Sequence, residues 1–273
     1  MVEVLVHFVA PALVGVLIGI ASGLLGIGGG TVMVPIFRLA FGMSATMSTA
    51  TSLFAIIPTS ISGAISHVKG KTCIPALGIA AGLGGACMSP IGVWLAQLSP
   101  DWLVMLAAAL IIGYSAINMF KKAFKVPRAG QPAEGADASA PTADDSSLSR
   151  KQLLQGAAIG LVAGLASGYV GVGGGFIMVP LMLSIIGIPM RKASGTSLIA
   201  VMILAIPGVI EQGIIGNINY LAGIAIVIGT IPGAVIGARL VTKVPERTLR
   251  LLFGCFLIVA AVMLVLNEVG IFG

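Results

Sequence analysis

The sequence predicts an all-α integral membrane protein, with about ten transmembrane helical elements arranged as two inverted-topology repeats of five, each containing a glycine-broken hairpin. Three observations predict it. Of the 273 residues, 58% are hydrophobic and only 9% charged, against roughly 25% charged in an ordinary soluble domain. A fourteen-residue segment recurs at an offset of 145: SGLLGIGGGTVMVP at 22–35 and SGYVGVGGGFIMVP at 167–180 share nine identical positions. The loops rich in Lys and Arg exchange places between the two copies.

In the first copy, repeat 1 (1–124), apolar runs predict helices near 5–25, 31–41, 46–68, 73–97 and 102–120. The first carries Glu3 as its only early charge and no basic n-region, so it reads as a retained span. It ends at a cluster of Gly26, Gly28, Gly29 and Gly30, and the run that follows holds about a dozen residues. At 1.5 Å per residue a helix of that length falls short of a hydrocarbon core of about 30 Å. The third run ends in Lys69 and Lys71, the loop QLSPD (97–101) has no basic residue, and the fifth run ends in Lys121, Lys122 and Lys125. The positive-inside rule places the two basic loops in the cytoplasm.

Residues 125–151 are rich in Ala, Pro, Ser, Gly and Asp, a composition expected of a disordered cytoplasmic linker. Repeat 2 (152–273) then predicts helices near 152–170, 176–189, 194–213, 219–240 and 248–267. Its glycine cluster is Gly171, Gly173, Gly174 and Gly175. Here the charge pattern reverses. The loop matching Lys69 and Lys71 is GIIGNIN (213–219), without charge, while the loop matching QLSPD carries Arg239, Lys243, Arg247 and Arg250. A second copy inserted upside down accounts for this and puts both termini outside; Arg38 is the one basic residue left on the outer side.

Each glycine cluster reads as a helix break. Glycine tolerates positive φ, and the helix restarting after it exposes unpaired N–H groups and the positive end of its dipole, an anion site that needs no charged side chain. Paired breaks in corresponding places of two inverted halves are the sequence pointer to a transport site; the alternative is close helix packing through small residues. Hydroxyls beside the breaks are candidate ligands: Ser22, Thr31, Thr49, Thr51 and Ser52 in one half, Ser167, Ser194, Thr196 and Ser197 in the other. Such side chains also bond back to their own helix. Of nine acids, Glu211 alone sits near the end of a span, beside Gln212, and His67 holds the related place in repeat 1; these three are candidates for ion coupling, or for hydrated structural positions. Arg191 and Lys192 follow the second short helix, as topology determinants or as attractors of anions.

Other classes are excluded on composition. The net charge of +6 sits at span ends and not on one exposed face, so no nucleic-acid partner is expected. Cys73, Cys87, Cys255, His7 and His67 make no CxxC or HxxxH spacing, so neither a metal nor a structural disulfide is expected. Gly26-Ile27-Gly28 begins a dinucleotide fingerprint, but no strand pattern precedes it and no acid follows about 20 residues on. No set of acid, base and nucleophile falls at mid-span, so no enzyme and no cofactor is expected.

At GLLGIGGGTVMVP, its echo GYVGVGGGFIMVP and the TSL segments beyond each, the chain resembles the TauE/SafE family of sulfite exporters over essentially its whole length outside the linker. The resemblance implies a plasma-membrane transporter that moves sulfur-containing anions such as sulfite, sulfoacetate, thiosulfate or other organosulfonates without ATP. It carries the motif over to Gly26 through Thr31 and Gly171 through Gly175. Sequence and resemblance together give alternating access around an anion held between the breaks, with membrane lipid as surroundings. The competing readings are a carrier of another small organic anion and a non-transporting scaffold.

Overall fold

The computed structural model describes residues 10–125 and 149–268. They form ten helical segments: α1 (Ala10–Leu25), α2 (Gly30–Phe41), α3 (Ala45–Lys69), α4 (Pro75–Leu98), α5 (Asp101–Lys125), α6 (Arg150–Val170), α7 (Gly175–Leu181, continued by a π-turn Met182–Ile186), α8 (Met190–Ile215), α9 (Tyr220–Leu240) and α10 (Glu246–Glu268). By length and composition seven of them are able to cross a membrane; α1, α2 and α7 are shorter apolar helices.

Local chemistry sets the boundaries. Gly26 and Gly171, at φ 77° and 72°, end α1 and α6. The left-handed Gly29 and Gly174 cap the restarting α2 and α7. Ser44 caps α3 by accepting the Met47 N–H at 3.2 Å, and Asn219 caps α9 by accepting the Ala222 N–H at 3.1 Å. Two acids from other helices stand at helix starts: Asp101 Oδ2 accepts the Ala45 N–H at 3.3 Å, and Glu246 Oε1 accepts the Met190 N–H at 3.2 Å. Capping also corrects three expected edges. Ser149 and Gln152 form a reciprocal capping box, so α6 begins inside the expected linker, whose Lys125 likewise belongs to α5. Residues 126–148 lie outside those described. Gly187, at φ 78°, stops α7 before residue 189, and Pro189 then opens α8 at Met190, not Ser194.

The helices pack across the halves more than within them. The most extensive pairings are α4 with α6 and α1 with α9, followed by α4 with α8, α5 with α10, and α3 with both α8 and α9. Glycine rows make the first two possible. A Cβ on Gly15, Gly19 or Gly23 would strike the backbone of Ile226, Thr230 or Ala234, and one on Gly160, Gly164 or Gly168 would strike that of Ala81, Gly85 or Ser89. The two sets are related by the offset of 145, and within each the contacts climb in step, so the paired helices are parallel. By contrast α3 and α8, which occupy corresponding positions, run antiparallel: Gly63 faces Leu198 and Gly208 faces Leu53. Leu17, Leu110, Ile214 and Leu221 remain exposed on the outside of the bundle, as a lipid-facing surface requires. Among the described residues the buried polar side chains are hydroxyls, His67 and Gln212.

Candidate functional site

α2 and α7 both start at the centre of the bundle and run to opposite ends, α2 toward the Ala45–Asp101 contact and α7 toward the Met190–Glu246 contact. Their starts meet. A Cβ on Gly30 would lie 2.5 Å from the Val172 carbonyl oxygen, and one on Gly175 would lie 2.9 Å from the Ile27 oxygen. Backbone touches backbone at this seam, which is why a side chain has no room there. At α2 the Val32 and Met33 N–H groups bond back to Gly29 O, and at α7 those of Ile177 and Met178 bond back to Gly174 O while that of Gly175 bonds Gly173 O, so the two starts bring their positive dipole ends to one place. Ile56 and Val201 pack over it, 3.4 and 2.9 Å from a Cβ on Gly28.

The hydroxyls divide into two groups. Thr51 Oγ1 accepts the Asn219 N–H at 3.0 Å and Thr196 Oγ1 accepts the Ile74 N–H at 2.9 Å, so each Thr holds the start of the other half's fourth helix. Ser197 Oγ donates to the Gly26 carbonyl at 2.7 Å or to that of Ser194 at 2.8 Å, tying α8 to the first break. Ser194 bonds back to Met190 O and Thr49 to Thr46 O. These five side chains are engaged in the scaffold. Ser22, Thr31, Ser52 and Ser167 are buried and their oxygens have no partner. Sequence reasoning missed three more of this kind, Ser48, Ser60 and Ser89. Ser60 Oγ is 3.4 Å from a Cβ placed on Gly28, against the first break. The signal was present: Ser48, Ser52 and Ser60 follow one another on α3 at multiples of four, the spacing of a single helix face.

His67 is buried and bonded at both nitrogens. A carbonyl oxygen only accepts, so Nε2 donates to Gly23 O at 2.7 Å, and Nδ1 of the neutral ring accepts from the Thr72 hydroxyl, also at 2.7 Å. Gly23 lies in the last turn of α1, where carbonyls lack helical partners. The residue in register with His67 is Gln212, and its Oε1 accepts from Asn217 Nδ2 at 2.8 Å, as Asn217 is in register with Thr72. Glu211 stands one residue away, half-buried, with its Oε2 unpartnered. Arg191 donates to the Val244 carbonyl at 3.0 Å and is held in the turn before α10.

Two cavities flank this core, and neither is lined by a break residue. One, of about 550 Å³, lies between the ends of α3 and α9 and is lined by Ser62, Ser66, Lys69, Thr72, Arg239 and Thr242 among others. The second, of about 520 Å³, is largely apolar and lies between α5, α6 and α7.

The sulfite exporter TauE/SafE family model matches residues 11–264. The chain belongs to the TauE/SafE family. It is therefore a multi-pass membrane transporter of that family. Among its relatives is the probable membrane transporter protein YunE of Bacillus subtilis, 27% identical over 97% of this chain and 99% of the relative. Another Bacillus subtilis protein, the probable membrane transporter YdhB, is 28% identical over 87% and 92%. A probable membrane transporter protein of Haemophilus influenzae is 29% identical over 93% and 97%. No solved structure matches the chain.

Proposed function

We propose that this TauE/SafE member carries a small sulfur-containing oxyanion, such as sulfite, thiosulfate or an organosulfonate, across the plasma membrane by alternating access of two inverted-topology repeats. The observation that carries the reading is the seam: two helix starts face each other in mid-bundle, beside buried hydroxyls Ser22, Thr31 and Ser167 that lack partners. Such a setting favours negative charge. No carboxylate is among the fully buried polar side chains of the described residues, so a cation would find no counter-charge there. Sulfur as the cargo's central atom takes its support from the family description.

Inversion is supported by the antiparallel course of α3 and α8 and by the exchange of pairings between halves. Lys69 and Arg239, from different halves, line one cavity, and the positive-inside rule assigns that end to the cytoplasm. The linker then begins and ends on the cytoplasmic side, and both termini face outward. Rocking of one half against the other would open the seam alternately to either face. Export of an anion from a negative-inside cell gains about 2.3 kcal/mol per charge per 100 mV. Import would call for a coupled ion, with His67, Glu211 and Gln212 the nearest candidates.

Purified protein in liposomes should accumulate or release radiolabelled sulfite, thiosulfate or isethionate, and Gly29→Leu with Gly174→Leu should abolish this in protein that still elutes as a folded species. Carriage of a cation or neutral solute with no flux of any such anion would overturn the reading. A carrier of another small organic anion would show flux of a carboxylate in the same assay.

A further inference from the structure

The two ends of the bundle differ in a way that the repeat itself does not require. At one end Lys69 and Arg239 reach a common cavity of about 550 Å³ whose lining also includes Ser62, Ser66, Thr72 and Thr242 and contains no acid. Shifted by 145, these positions become Ile214, Trp94, Pro207, Glu211, Asn217 and Gln97. The corresponding surface at the other end has lost both cations and acquired a carboxylate. A cavity that concentrates positive charge within low-dielectric walls raises the local concentration of anions. Thr72 also belongs to the candidate core site by contact: its hydroxyl bonds His67, which bonds Gly23 beside the first break.

We infer that the Lys69–Arg239 cavity is a second binding site for a small tetrahedral or pyramidal oxyanion, a loading vestibule one layer outside the seam. It rests on the anion-carrier reading above and deepens it by naming where cargo is first captured. Lys69 and Arg239 supply point charge and a planar donor fork, which together suit three oxygens on one centre. Glu211 at the far end repels what the vestibule attracts, so capture is favoured on one face only. A phospholipid phosphate has the same recognition chemistry, and the experiment separates the two sources.

Equilibrium binding of radiolabelled sulfite to the full-length protein in phosphatidylcholine nanodiscs should give two sites per chain. K69Q/R239Q should keep one, K69R/R239K should recover two, and R150Q/K151Q, which removes equal charge elsewhere, should keep both. S22A/S167A should lose the other site. Undiminished binding in K69Q/R239Q, or an equal loss in R150Q/K151Q, overturns the vestibule; undiminished binding in S22A/S167A tells against the seam and leaves the vestibule standing. A fall from two sites to one when phosphatidylglycerol is added assigns the cavity to a lipid headgroup and overturns it as a cargo site.

Discussion

His67 Nε2 donates to the carbonyl of Gly23 at 2.7 Å, closing the last turn of α1 three residues before the chain breaks at Gly26. His67→Leu leaves that buried carbonyl without a donor, and thermal unfolding in detergent should show a loss of about 1–3 kcal/mol. His67→Gln, which copies the residue in register at Gln212, should recover most of it. A ring charged by a second proton would donate from Nδ1 too, and Thr72 would turn its hydroxyl to the His67 carbonyl, already 3.3 Å away. If His67 relays protons, the Gln variant should keep stability and lose any pH dependence of flux; retained pH dependence would remove it from coupling.

Glycines of two kinds should separate cleanly. A Cβ on Gly164 would strike the Gly85 backbone, whereas one on Gly113, in α5, meets nothing within 4 Å. Gly164→Val should prevent recovery of folded protein. Gly113→Ala should raise stability by about 0.5–1 kcal/mol, the gain from a helix-interior glycine without contacts. Equal tolerance at both positions would mean that α4 and α6 do not touch as described.

The hydroxyls should divide into scaffold and site. Thr51→Val and Thr196→Val each strand one N–H at a helix start, so each should cost about 1 kcal/mol in unfolding experiments. Ser22→Ala and Ser167→Ala remove oxygens that have no partner, so they should leave the melting temperature unchanged or slightly raised while the saturation constant for sulfite increases. Loss of stability at Ser22 and Ser167 would place them with the threonines.

Topology is testable without cargo. Cysteine substituted at Gly70 should react with an impermeant maleimide only from the face that also labels Thr242→Cys, and Gly216→Cys only from the opposite face. Labelling of 70 and 216 from the same side would end the inverted reading.

Most of the fold was legible because membrane spans are written twice over, in apolar length and in charge at their ends. The glycine clusters also announced the breaks, since positive φ at Gly26, Gly29, Gly171 and Gly174 is a demand that sequence displays directly. The roles of the hydroxyls were less legible. Thr51 and Ser52 are neighbours in sequence, yet one points to a helix start in the other half and the other has no partner; only tertiary packing separates them. His67 holds a place in repeat 1 related to that of Glu211, but the offset of 145 puts Gln212 in register with it, and the Gln212–Asn217 bond repeats the His67–Thr72 one. Gly187 and Pro189 carried a boundary signal that the apolar run through Ile188 masked.

Main chain lies on main chain where Gly30 meets Val172 and Gly175 meets Ile27. A surface made of peptide groups has nothing to exchange by point substitution, so under the proposed anion-carrier reading any retuning of cargo falls to the buried, unpartnered hydroxyls of Ser22, Thr31, Ser60 and Ser167.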